Sequence, residues 1–348
     1  FVSGAGYPIY RSETAHSTVV IKLNEDGGTA HVLTGSAEIG QGSDTAMAMI
    51  AAEALGVPYD HIKLSSGDTD YSVDLGAYSS RQTLMTGHAT KSAAEDLKSQ
   101  VLEVLGEKLK VPVDQMDIKS GFIVFRGETP DFTAIRTSYA KEHRGFFDNP
   151  DSDEPLTFKE AARMAFLARG SMVGTGKYKP GELGGKFKGA AVGTSPAYGP
   201  SAQVVEITVD KGTGKITIDR MTDAHDCGFA INRTSVEAQM QGSLSMGVGE
   251  AMYEEVKFDD KGKILNANLG EYKIATALDM PNVDAIIVES NEPNGPFGAK
   301  EVGEGAIMPT IPAILNALYD ATGVRIQELP LTPERVFKAI QAKEEKEK

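Results

Sequence analysis

The sequence is poor in residues that carry several common chemistries. It holds one cysteine, Cys227. That excludes a disulfide within the chain, and also a zinc site or iron–sulfur cluster built from its own thiolates. A single thiol in 348 residues fits a reducing compartment. Basic charge is scarce as well: 35 Lys and Arg stand against 49 Asp and Glu, a formal charge of −14. Such a balance speaks against a nucleic-acid backbone or an anionic membrane as the main partner. No apolar run reaches the roughly 18 residues of a membrane span and no signal-peptide pattern opens the chain, so a soluble, cytoplasmic protein is expected. Low-complexity tracts and short internal repeats are missing. So is a P-loop: Gly184-Gly-Lys-Phe-Lys-Gly189 is Gly-rich but lacks the G-x-x-x-x-G-K-[ST] order and the framing strand and helix.

What is present is an alternation of strands and helices in a chain long enough for two lobes. Two β-branched runs, 16–24 and 29–33, flank Glu25-Asp-Gly-Gly28 and read as a hairpin. Helical spacing follows at 44–55, a short strand at 62–64, and a long helix that starts after Thr83 and ends near Leu109. The polar stretch 131–154 reads as a surface excursion, and 157–169 as a helix with Phe158, Ala161, Ala162 and Phe166 inward. A soft boundary near residue 170 divides the chain into lobes 1–170 and 171–348. Beyond it lie strands at 202–210 and 215–224, a helix to about Met252 opened by the capping-box pattern Thr234-Ser-Val-Glu237, a strand at 285–289 and helices at 307–323 and 332–342. Gly242, Gly247 and Gly249 would each weaken an isolated helix by up to about 1 kcal/mol, which suits a helix that another backbone or a ligand approaches closely.

The most informative stretch is Gly298-Ala-Lys-Glu-Val-Gly-Glu-Gly-Ala306, which sets Glu304 between two glycines. Missing side chains on both sides leave the carboxylate open to close approach. Placed just ahead of a helix start, it meets unpaired N–H groups that favour its ionised form. Two roles fit: a helix-start cap or a general base. Gly40-Gln41-Gly42, ahead of a helix, could meet an anion through its amides, with Gln41 as a hydrogen-bonding arm, or be a plain turn. The run Tyr78-Ser-Ser-Arg-Gln-Thr83 offers hydroxyls, an amide and a guanidinium, suited to phosphate or pterin edges or to a surface N-cap. His225-Asp-Cys227 is read as a strand end rather than a catalytic cysteine, and His31, His61 and His88 lack ligand spacing.

The run from Pro296 to Glu304 resembles the signature near the end of the molybdenum subunit in the xanthine oxidase family of molybdenum hydroxylases. Gly40-Gln41-Gly42 and Ser79-Ser80-Arg81-Gln82-Thr83 resemble two cofactor-holding segments of that family, in the family's order, and 198–206, 225–232 and 237–242 resemble its strand pair and following helix. The resemblance implies an α+β, two-lobed molybdopterin-binding domain of the aldehyde oxidase/xanthine dehydrogenase type, in its C-terminal half. It implies Glu304 as catalytic base and Gly40, Gln41, Gly42, Ser79, Ser80, Arg81, Gln82, Thr83 and Gly303 as cofactor-binding, with no metal ligand from the chain because molybdenum hangs on the pterin dithiolene. The implied cofactor is a molybdenum–molybdopterin cytosine dinucleotide. Iron–sulfur clusters and FAD are expected on partner chains, together with the N-terminal half of the molybdenum subunit, so the chain is not expected to be active alone. Tyr78-Ser-Ser-Arg81 and Asn294-Gly-Pro-Phe-Gly-Ala-Lys-Glu301 look like the 4-hydroxybenzoyl-CoA reductase branch, which implies reductive dehydroxylation of an aromatic acyl-CoA. Hydroxylation of an N-heterocycle or aldehyde is the alternative. A non-catalytic scaffold half and a nucleotide-binding module of unrelated fold are the readings from other classes.

Overall fold

A computed structural model describes residues 2–5, 16–180 and 195–347. The Gly-rich segment 184–189 lies outside them. In chain order the elements are β1 (Val2–Ala5), β2 (Ser17–Leu23), β3 (Ala30–Thr34), α1 (Ser43–Leu55), β4 (Ile62–Ser65), α2 (Gly87–Leu109), β5 (Met116–Lys119), β6 (Phe122–Phe125), α3 (Phe132–Glu142), α4 (Phe158–Arg169), β7 (Val173–Tyr178), β8 (Ala197–Asp210), β9 (Lys215–Asp226), α5 (Arg233–Met252), β10 (Asn282–Val288), α6 (Thr310–Thr322) and α7 (Pro333–Lys346). They form two compact units, one of residues 6–196 with 293–297, the other of residues 1–5, 197–292 and 298–348. The α+β class expected from the sequence is borne out.

In the unit 6–196, a four-stranded sheet runs in the order β4-β3-β2-β7. β2 and β3 are the expected antiparallel hairpin, Val20 opposite Leu33. The alternation of β2 buries Val19, Ile21 and Leu23 on one face, and α2 packs against β2 and β7. Gly174 and Gly176 of β7 lie against the α2 backbone at Ala93 and Ala89, where a Cβ would collide with carbonyl oxygens. α4 starts with a full capping box, Thr157 with Glu160. The stretch read as a surface excursion contains α3. Arg136 on its inner face is buried and pairs with Glu160 at 2.8 Å, a long-range tie that local polarity does not reveal. The boundary placed near 170 also shifts: β7 lies beyond it yet pairs antiparallel with β2 over Ser17–Lys22.

In the other unit the sheet order is β1-β8-β9-β10. β8 and β9 are long antiparallel partners and β10 runs parallel to β9, Ile287 opposite His225. Helices α5, α6 and α7 close one core, in which Met221, Leu244, Val248, Ile314, Leu318 and Val336 are buried together. Gly247 of α5 lets Thr310 of α6 approach where a Cβ would clash, the close packing its sequence suggested, while Gly242 faces open space. α5 begins two residues earlier than the Thr234 pattern suggests: the Asn232 side chain accepts from the Ser235 N–H. α6 begins at Thr310, and turns occupy 303–309. Glu304 is therefore not in the first turn of that helix, and the helix-end argument for its ionisation falls.

Candidate functional site

The unit 6–196 brings the two predicted cofactor segments together. The Gln41 side-chain amide donates to Gln82 Oε1. Gln82 in turn donates to Ser36 Oγ at 2.6 Å and Ala37 O at 3.1 Å, and Gln41 Oε1 accepts the Ile39 N–H at 2.6 Å. The two glutamines thus knit residues 36–43 to the start of the second segment. Gly40 and Gly42 have φ of 97° and 81°, a left-handed backbone that glycine adopts without a Cβ clash. Their amides already meet an anion, the chain's own Glu38, at 2.7 and 3.0 Å, and Glu38 also accepts the Asp44 N–H at 3.0 Å. Partial burial pushes the Glu38 pKa up, but these amides outweigh it and hold the carboxyl below the usual glutamate value. A depressed pKa contributes stability that is present above the ordinary value of 4.5 and is lost as pH falls through the lower folded value. Glu38→Ala is expected to cost about 1 kcal/mol, as loss of a helix cap does. Urea melts should show that difference at neutral pH and its disappearance in acid.

In the second segment, Ser79 and Ser80 both take left-handed φ, 55° and 45°. Such residues store about 1–3 kcal/mol each and cluster at functional sites. Gln82–Thr86 then forms a single π turn before α2, another feature common at such sites. Thr83 is half-buried. Arg81 is fully buried and turned inward: Nη1 donates to Asp74 at 2.8 Å and to Gly76 O at 3.0 Å, and Nη2 to His16 O. Asp74 also accepts from the Ser17 hydroxyl at 2.6 Å. Among the described residues, Arg81 Nε is buried without a hydrogen-bond partner.

In the other unit, Glu304 is an exposed side chain on a loop whose backbone is fixed from several sides. Gly298 O accepts from Phe229 and Glu292 N–H, both at 2.8 Å, and the Lys300 N–H donates to Cys227 O at 2.9 Å. His225 Nε2 stands 3.0 Å from Glu301 O, Ser243 Oγ donates to Gly303 O at 2.9 Å, and Gln203 donates to Ala306 O. Gly303 is half-buried beside this last pair of anchors, while Glu301, Gly305 and Ala306 are buried. The Lys300 ammonium reaches Asp226 at 2.8 Å and Tyr198 O at 2.7 Å. An exposed carboxylate on a fully anchored loop is the arrangement a general base needs, since it stays accessible without wandering.

The remaining sites of interest are structural. Cys227 is buried, and burial, then the charges of Glu289 and Asp226, push its thiol up to about 11, so it holds no thiolate at neutral pH. His31 bonds Ser65 at 2.9 Å and the His88 ring lies tilted against Tyr178 with centroids 4.9 Å apart. Among the described residues no three His, Cys, Asp or Glu side chains group as a metal site, and no helix is long and apolar enough to cross a membrane. Residues 225 and 226 are a different matter. They end a strand, as read, but they also clamp the Glu304 loop through Glu301 and Lys300. The signal for that lay in the sequence, a charged pair within the motif and a His-Asp pair at a strand end, but pairing them needed β10 laid parallel to β9 and the loop after it folded back on the strand end.

Gly199 shows how tight this packing is. A Cβ there would stand well inside van der Waals contact of Glu301 Oε1 and 3.2 Å from His225 Cε1. Gly199→Ala is expected to destabilise the chain by about 1–3 kcal/mol, the range for overpacking, as a lower midpoint in a denaturant melt.

Comparison with known proteins defines the class. The chain belongs to the family described as molybdopterin cofactor-binding domain, whose model matches residues 1–281, and so to the xanthine oxidase type of molybdenum hydroxylase that the motifs resemble. It is 34% identical over 322 residues to the xanthine dehydrogenase molybdenum-binding subunit of Escherichia coli O157:H7, covering 90% of this chain and 38% of that protein. The nicotine 6-hydroxylase large subunit of Paenarthrobacter nicotinovorans is 25% identical over 94% of this chain and 37% of its own length. Quinoline 2-oxidoreductase from Pseudomonas putida 86 superposes with a TM-score of 0.81 at 25% identity, over 98% of this chain and 41% of its own. Aldehyde oxidoreductase from Desulfovibrio gigas gives 0.70 at 28%, over 98% and 32%. The chain thus spans less than half the length of each of these relatives.

Proposed function

We propose that the chain holds the molybdenum–pterin cofactor in the catalytic subunit of a hydroxylase acting on an N-heterocycle or an aldehyde, with Glu304 as general base. The observation that carries the base assignment is the exposed Glu304 carboxylate on a loop anchored at Gly298, Lys300, Glu301, Gly303 and Ala306. When bound, the cofactor supplies two-electron redox chemistry at its metal. The net reaction, R–H + H2O → R–OH + 2 e− + 2 H+, releases two protons, and a solvent-exposed carboxylate is a group that can accept one.

The residues fit the cofactor. Gln41 and Gln82 meet side chain to side chain, Ser79, Ser80 and Thr83 flank Gln82 in the chain, and Arg81 Nε is a buried donor left over; amides, hydroxyls and a guanidinium are groups that hold phosphate and pterin edges. Gly40 and Gly42 contribute shape, because Glu38 takes their amides, and Arg81 acts chiefly by fixing the loop through Asp74. Gly303 would let the cofactor or substrate approach the Glu304 backbone. The pterin would carry a cytosine nucleotide, with iron–sulfur clusters and FAD on partner chains, alongside the rest of the molybdenum subunit, in the cytoplasm.

Support for the substrate class comes from the relatives: xanthine, nicotine and quinoline in their names are N-heterocycles, with electron-poor ring carbons. Reductive dehydroxylation of a hydroxybenzoyl-CoA rests on two short phrases, and none of the relatives named above carries that activity in its name. Metal and nucleotide analysis of the natively purified complex tests the cofactor assignment. Molybdenum and cytidine monophosphate released in equal amounts are expected. A complex without molybdenum would favour a nucleotide-binding module instead.

A further inference from the structure

Glu301 and His225 lie beneath the Glu304 loop, and the proposed reaction does not use them. Both side chains are fully buried, with His225 Nε2 3.6 Å from Glu301 Oε1. The same nitrogen faces Glu301 O at 3.0 Å, so it carries the hydrogen and donates to the main chain of the motif. Gly199 and Gly305 enclose the pair. A Cβ at Gly305, the residue after Glu304, would stand 2.9 Å from Glu301 Oε1 and 3.0 Å from His225 Nδ1. The pair and the Gly305 backbone, next in the chain after Glu304, therefore pack with no side chain between them.

The charges around the pair decide what it can do. Lys300 is committed to Asp226 at 2.8 Å, and its charge offsets the burial of Glu301 only in part. Asp223, two residues before His225 on β9, meets Ser201. Among the described residues of β1 and β8, the uncharged Ser3, the Tyr198 carbonyl and Gly199 face the cluster. Ser3 and the Gly305 amide stand near the Glu301 carboxyl, yet neither meets it with ordinary hydrogen-bond geometry. Burial first, and then the charge of Glu304, raise Glu301 to about 7, whereas burial lowers His225, so the proton resides on the carboxyl and the imidazole is neutral.

We propose that the Glu301–His225 pair positions the catalytic loop: neutral Glu301 packs directly under Gly305, and loss of its proton sets a buried negative charge there that repels and displaces the Glu304 carboxylate. The proposal rests on Glu304 as base. Glu301 acts through the loop and touches no reacting atom.

The sign of the stability effect follows. A folded-state value of about 7 against an ordinary 4.5 means the folded chain binds the extra proton between those values, so stability falls as pH rises through that window. Glu301→Gln keeps the shape and stays neutral, which removes the fall.

The test uses the assembled, cofactor-loaded complex. Melting midpoints of the wild type and Glu301→Gln are compared as a function of pH, alongside kcat. The expected result is a midpoint difference that grows in favour of Glu301→Gln as pH rises toward about 7. Wild-type kcat should fall about tenfold per pH unit above about 7, a limb absent from Glu301→Gln. A midpoint difference independent of pH, or a kcat profile that Glu301→Gln leaves unmoved, overturns the proposal. Glu304→Gln is the control. If it retains turnover, the base assignment fails, while the melting comparison still reports whether Glu301 carries its proton.

Discussion

Replacing Glu304 by Gln is expected to lower turnover of the assembled complex by about 10²-fold or more, the loss typical when a general base is removed. That corresponds to roughly 2.7 kcal/mol of transition-state stabilisation. Gln matches Glu in size and polarity but cannot take a proton. The anchors of the loop, from Ser243 to Gly303 O, Gln203 to Ala306 O and His225 to Glu301 O, are made by the backbone and persist in the variant. Molybdenum content and melting midpoint should therefore match the wild type. Unchanged turnover at equal metal content would remove Glu304 from the mechanism and leave this chain as scaffold.

The second large effect is on stability. Arg81→Ala leaves Asp74 without its cation at a site where both side chains are fully buried. Removing one partner of such a pair typically costs about 3–5 kcal/mol, because a charge remains with nothing to balance it. Asp74 also ties Ser17 on β2 and Thr86 in the π turn, so the loop carrying Ser79, Ser80 and Gln82 should loosen with it. The expected outcome is a strongly lowered denaturation midpoint and reduced molybdenum occupancy in the purified complex. Arg81→Lys should recover only part of the loss, since one ammonium cannot serve Asp74, Gly76 O and His16 O with the guanidinium's geometry. A normal midpoint with full occupancy would mean that neither the loop nor the cofactor depends on this pair.

Much of this was legible in the sequence because it is local. The β2–β3 hairpin, the long helix after Thr83 and the helix after Asn232 follow from β-branched runs, turn residues and helical spacing. Glu304 and the segments 40–42 and 79–83 stand out in the sequence, as candidates, through glycine placement and resemblance. What was hidden depends on pairing across distance. Nothing near residue 38 announces that its carboxylate fills the Gly40-Gln41-Gly42 amides. The sequence offers Arg81 as an anion-binding arm, and only the fold turns it inward to Asp74. α3 was hidden by its polar surroundings, since the buried salt bridge from Arg136 to Glu160 joins residues 24 apart. α6 starts later than its apolar spacing suggests, at Thr310, because turns run from Gly303 to Pro309.

Single-turnover reduction of the metal by substrate, without an electron acceptor, tests the role of Glu304 most directly. It isolates the step in which a base is needed from later electron transfer and product release. In fully loaded Glu304→Gln complex, substrate binding should be retained and the rate of metal reduction should fall by about 10² or more. Reduction at the wild-type rate would contradict a base at Glu304.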